Sequence, residues 1–179
     1  ESSFDYRPIT TSFFAIEYTI FGQNPFISHL INIILYFLCV WIMFCVLHKL
    51  FEDYKFNFIF SFLVAFIFLI HPIHTEVVAN IKCRDELLAF LLPMMSLWFS
   101  LRFYEKPTYQ TALLIIIFLV LGIFSKRTAI IFMAIIPLCL VFYRQIKLKH
   151  ILYFVVFAFL IKTCDFTIKT LFLTDDSTR

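Results

Sequence analysis

The chain has 179 residues, of which 62% are hydrophobic, 20% aromatic and only 15% charged, with a formal net charge of +3. A soluble domain sits nearer half apolar and a quarter charged, and a chain of this length cannot hide so much apolar surface from water, so a soluble globular fold is excluded. The small positive charge, with no basic patch interleaved with base-stacking aromatics, excludes nucleic acid as a partner.

The chain opens without an initiator methionine or a basic, cleavable leader, and its start inside a charged aromatic segment reads as part of something longer. Ile9, Phe13, Ile16 and Ile20 then fall on one helical stripe, with Thr10 and Glu17 on another face. The spacing predicts an amphipathic helix over 9–21, lying flat in the membrane interface on the non-cytoplasmic side. Gly22 and Pro25 close it off.

Six apolar runs follow, at 26–47, 56–70, 87–103, 109–124, 129–143 and 151–173. A membrane-crossing helix needs about 20 residues, and roughly 17 at the least, so three of the runs are marginal in length. Backbone groups in lipid must pair within their own segment, which makes helix the only option. The expected fold is all-α: a polytopic membrane helical bundle of about six transmembrane helices plus one interfacial helix. No repeat or linker interrupts it, so 1–179 is read as a single membrane domain. The five cysteines include no CxxC pair, and Cys39, Cys45, Cys139 and Cys164 sit in or beside apolar runs as small hydrophobes.

Alternate loops carry Lys49 and Lys55, then Arg102 and Lys106, then Arg144, Lys147 and Lys149, which marks that side as cytoplasmic. The other side keeps Arg7, Lys82, Arg84, Lys126 and Arg127. Cations held there against the usual bias suit an anionic headgroup, because guanidinium forks and ammonium groups are what a phosphate at the interface requires. In the last run Lys162, Asp165 and Lys169 share one helix face and neutralise each other. Ionisable groups confined to that one run argue against a transport pathway.

The densest polar stretch, His71-Pro72-Ile73-His74-Thr75-Glu76, lies between the second and third runs. Pro72 ends the preceding helix, and His74 or Thr75 opens another with Glu76 in its first turn. The plain reading is a polar turn among headgroups. His71, His74 and Glu76 are chemically able to bind a metal, but a single proline-broken HxxHxE is a weak pattern and no metal is assigned. Arg84, Asp85 and Glu86 come next, with Glu86 the local partner available to Arg84.

Four ordered segments have a common likeness: Tyr6-Arg7-Pro8-Ile9-Thr10-Thr11, Phe21-Gly22-Gln23-Asn24-Pro25-Phe26, His29-Leu30-Ile31-Asn32, and the run from His71 through Ala79 with Arg84 and Glu86 after it. Together they resemble the transmembrane and tetratricopeptide-repeat O-mannosyltransferase family, whose membrane part is a GT-C glycosyltransferase fold. The resemblance implies a polyprenyl-phosphate-linked sugar as donor and a protein or lipid hydroxyl as acceptor. The site would face the periplasm or the lumen, in a bacterial inner membrane or the endoplasmic reticulum. Arg7 and Arg84, with Lys126 and Arg127, would hold the donor phosphate, and His71, His74, Glu76 and Glu86 would form the cavity rim. The chain departs from the family at Arg127, where an acid usually follows Ser-Lys, and at Cys83, where Gly or Ser is usual. The family's catalytic acid is expected upstream of Glu1. The alternative is a non-catalytic membrane subunit that docks anionic lipid headgroups or a partner protein through the same cations.

Overall fold

A computed structural model describes residues 7–144; the apolar run at 151–173, with its Lys162, Asp165 and Lys169, lies outside them. Backbone contacts group the chain into two compact units, 1–132 and 133–179, which are described separately. Among the described residues every regular element is helical. The chain is an all-α membrane protein.

The first helix, α1 (Pro8–Phe21), starts on a proline at its first position and stops at Gly22, whose φ of 64° is open to glycine at no steric cost. Asn24 caps the next helix, α2 (Pro25–Leu50), by accepting the Phe26 N–H at 3.1 Å. Its 26 residues span about 39 Å at 1.5 Å per residue, enough for a hydrocarbon core of about 30 Å. α3 (Asn57–Ile70) is only 14 residues long and ends where Pro72 forces His71 into extended backbone. α4 (His74–Ala79) and a 3-10 turn (Ile81–Cys83) lead into α5 (Arg84–Glu105). α6 (Tyr109–Ser125) follows from a Thr108–Thr111 capping box. A second 3-10 turn (Arg127–Ile131) completes the first unit, and α7 (Phe132–Arg144), with Pro137 inside it, runs into the second.

Two stretches, Pro25–Leu50 and Ile81–Glu105, are long and apolar enough to cross a membrane; Asn57–Ile70 and Tyr109–Ser125 are shorter apolar helices. α5 is the central helix, buried along most of its length between α2 and α6. Small residues line its contact with α6: Ser96 donates to the Ile115 carbonyl at 2.8 Å, and Gly122 lies against the Pro93 ring. Without a hydrophobic drive between helices in lipid, such close backbone approach is what holds them together. α2 turns Ile33, Phe37 and Trp41 outward, each more than half exposed, as a lipid-facing side should.

Ion pairs fix how the helices run. Lys49, in the last turn of α2, meets Glu105 at the end of α5 and Glu52 at 2.7 Å. The start of α5 meets the first turns of α2, so these two helices are parallel; Lys126, just past α6, meets the start of α5, so α6 is antiparallel to it. Five of the cations that the loop pattern assigned to two sides are placed by these contacts. Arg7, Arg84 and Lys126 share the upper end, and Lys49 and Arg102 the lower.

Candidate functional site

Three successive residues at the start of α5 organise the upper end, each reaching in a different direction. Arg84 is completely buried. Its guanidinium pairs with Glu17 of α1, donates from Nε to Asn32 Oδ1 at 3.0 Å, and donates to the Ser28 carbonyl at 3.2 Å. The Phe14 ring covers it at 4.3 Å. Ser28 donates to the other Glu17 oxygen, and the Asn32 amide donates to the carbonyls of Val78 and Asn80 at 3.4 and 3.3 Å. One network thus joins α1, α2, α5, the last turn of α4 and the residue after it.

The local Arg84–Glu86 pair that the sequence makes available does not form. Residues two apart lie on different sides of a helix. Glu86 turns instead to Lys126, and Arg84 reaches 67 residues back to Glu17.

Asp85 is also buried, and Arg7 and Lys126 both pair with it, the latter at 3.3 Å. Lys126 projects into this cluster because the backbone becomes extended directly after α6. Burial pulls its ammonium pKa down, but the carboxylates of Glu86 and Asp85 outweigh that and raise it on balance. Arg127 lies on the exposed face of the following turn. The four predicted phosphate-binding cations are therefore at one end of the bundle but not in one arrangement: Arg7 and Lys126 converge on Asp85, and Arg84 is sealed beneath α1.

α1 explains the seal. Its buried residues, Thr10 and Glu17, are both polar, while Phe13, Ile16 and Ile20 are exposed. Thr10 also donates to the Ser125 carbonyl at 3.3 Å. The helix is inside out by the standard of a soluble protein, as an element packed between a polar network and lipid should be.

The predicted rim residues divide. His71 and His74 line a groove of about 560 Å³ between the upper part of α2, the end of α3 and α4. His29, Ile33, Tyr36 and Thr75 also face it. Glu76 and Glu86 do not: Glu76 is exposed outside the lining, and Glu86 belongs to the Lys126 pair. The Tyr36 hydroxyl fixes the groove floor, lying 3.0 Å from the carbonyl oxygens of both Phe68 and Leu69. The Phe68 ring packs on His74 with centroids 4.1 Å apart. Among the described residues no three His, Cys, Asp or Glu side chains are placed to hold a metal ion.

Burial, and secondarily the neighbouring His71, lowers the pKa of His74 below its ordinary 6.5. The unfolded chain therefore takes up this proton more readily than the folded one, and folding loses stability as pH falls below 6.5 toward the folded value. Melting temperatures measured at about pH 7.5 and about pH 5.5 should fall less for His74→Gln than for the wild type; equal falls would show that His74 makes no contribution.

Sequence reading identified Arg7, Lys126, His71 and His74 as polar groups of this end but missed the roles of Glu17, Asn32, Asp85 and His29. The available signal was polarity out of place: the one charged residue of an otherwise uncharged helix and an amide inside the first span.

A family model described as dolichyl-phosphate-mannose-protein mannosyltransferase matches residues 6–164. The human protein O-mannosyl-transferase TMTC1 is 37% identical over 91 residues, which is 51% of this chain and 10% of the relative. The Caenorhabditis elegans protein O-mannosyl-transferase F38B6.6 is 35% identical over 95 residues, 51% of this chain and 13% of the relative. The Drosophila melanogaster protein O-mannosyl-transferase Tmtc1 is 26% identical over 135 residues, 75% of this chain and 15% of the relative. The chain thus spans between 10% and 15% of the length of these relatives. No solved structure matches.

Proposed function

The chain belongs to the dolichyl-phosphate-mannose-protein mannosyltransferase family, and from that premise we propose that it serves transfer of a sugar from a polyprenyl-phosphate carrier to a hydroxyl acceptor. The acceptor is a protein, and the reaction takes place at the lumenal or periplasmic face of the membrane in a GT-C fold. The names of the relatives support the transferase class. The observation that supports the reading is the cation pair at the upper end, where Arg7 and Lys126 both meet the one buried carboxylate of Asp85.

In this reading Arg7, Lys126 and Arg127 hold the carrier phosphate, with Glu86 the partner that Lys126 gives up as the phosphate arrives. The Glu86 side chain is 43% exposed and easily released, whereas that of Asp85, at 3%, stays and keeps both cations together. Arg84 acts through Glu17 and Asn32 as a positioning residue. No residue of this chain is assigned as the base that deprotonates the acceptor.

Removing Lys126 should therefore cost more than removing Glu86. In membranes containing the full-length protein and a labelled polyprenyl-phosphate mannose, Lys126→Ala should lower transfer to protein by about ten- to a hundredfold, the loss of one charge-assisted phosphate contact. Glu86→Gln should retain most activity. Unchanged transfer in Lys126→Ala would remove the cluster from the site. No transfer by the wild type, with lipid binding intact, would identify the non-catalytic subunit instead.

A further inference from the structure

α3 is too short for the bilayer that α2 can cross, and its contacts with α2 show at which end the shortfall lies. Its 14 residues rise about 21 Å, against a hydrocarbon core of about 30 Å. At the lower end α3 starts level with the last two turns of α2: the Phe58 ring packs on Phe44 and His48, with centroids 5.9 and 6.2 Å apart. At the upper end the Tyr36 hydroxyl lies 3.0 Å from the Phe68 and Leu69 carbonyl oxygens. Tyr36 is eleven residues into α2, so about 16 Å of that helix continues above it, less the few Å by which the ring leans toward the helix start. The whole deficit of about 9 Å therefore falls on the upper leaflet.

What stands above the end of α3 is polar. His71, Thr75, Glu76, Asn80 and Lys82 are all exposed along the connection to α5. The connection is fixed at that height. The Asn32 amide holds the Val78 and Asn80 carbonyls at 3.4 and 3.3 Å, and Val77 packs inward on the buried cluster of Leu35, Cys39 and Leu87. α2 by contrast keeps Phe26, Leu30 and Ile34 exposed up to its first turn. The two helices thus ask for hydrocarbon of different heights.

We propose that the upper leaflet dips beside α3, with its headgroups resting on the polar ledge made by His71, Thr75, Glu76 and Asn80. A bilayer meets a short span by thinning locally, and a carboxylate costs far less among headgroups than in hydrocarbon. The partner is the headgroup layer of an ordinary bilayer, not one lipid held in a pocket. The dip brings water and headgroups down to His71 and His74, at a depth that is hydrocarbon elsewhere. It requires only that the chain lies in a membrane, so it stands or falls apart from sugar transfer.

Cryo-electron microscopy of the full-length protein in phosphatidylcholine nanodiscs reads the leaflet directly. The upper headgroup layer should lie about 9 Å deeper beside Ile70 than around the rest of the protein. Thr75→Leu combined with Glu76→Leu makes the ledge apolar and should lift the layer there by about half of the dip or more. A headgroup layer at one height all round, or other parts of the protein covering the ledge, overturns the proposal. An unchanged dip in the folded double variant overturns it too, because the ledge would then not be what the headgroups rest on. If the double variant does not fold, the wild-type map decides by itself.

Discussion

Replacing Arg84 with methionine destabilises the protein by about 3–5 kcal/mol, the usual cost of removing one partner of a buried ion pair. The substitution keeps much of the side-chain volume but strands Glu17, which is 7% exposed, and takes the Nε donor from Asn32 Oδ1. The loss falls on the docking of α1, because Glu17 and Thr10 are the residues α1 buries. Glu17→Leu combined with Arg84→Met should recover more than half the loss, since apolar groups of similar volume replace buried ion pairs at little net cost. Thermal unfolding in a fixed detergent measures both variants. A single substitution within about 0.5 kcal/mol of the wild type would show that the network does not hold α1 in place.

Substituting Gly122 is the second large effect. A Cβ there would stand 2.5 Å from Pro93 Cγ and 2.7 Å from Cδ, distances that real Cβ atoms do not adopt. A proline ring cannot swing aside as a long side chain would, so α5 and α6 must part. Gly122→Ala is expected to cost about 1–3 kcal/mol, the range for overpacking a tight core, and Gly122→Leu more. Separation of the two helices would also stretch the Ser96 bond to Ile115, now 2.8 Å. Pro93→Ala removes the obstructing ring, so in a double-mutant cycle the pair should couple favourably by about 0.5–3 kcal/mol. Additive losses would mean that the clash is relieved elsewhere.

These two effects differ in how far the sequence announces them. Gly122 is one of only two glycines in the chain and sits within an apolar run, so a close approach there is a fair expectation, though its partner is not. Arg84 reads as a surface cation near a turn. Nothing local shows that it is buried, because its cover is α1, more than sixty residues upstream, and α1 has to turn its polar face inward to provide it. The groove has the same character. His71 and His74 announce themselves as a polar turn, but His29 joins them only because α3 runs back along α2 and brings its end beside the first turns of that helix.

The sequence by itself determined the solvent, the elements and the ends. Apolar runs that no soluble fold could hide require lipid; lipid requires helices; Pro8, Pro25 and Pro72, with Gly22, set where they start and stop; and the loop charges sort the two ends. Each of these follows from interactions within a few residues or from composition. Tertiary structure alone decided which charges meet: Arg84 with Glu17, Asp85 with Arg7 and Lys126, Glu86 with Lys126. Those choices depend on helix faces and on partners tens of residues apart, where several pairings neutralise the same charges and only packing around α5 selects among them. In lipid the selection is strict, because a buried charge left without its partner has no water to turn to.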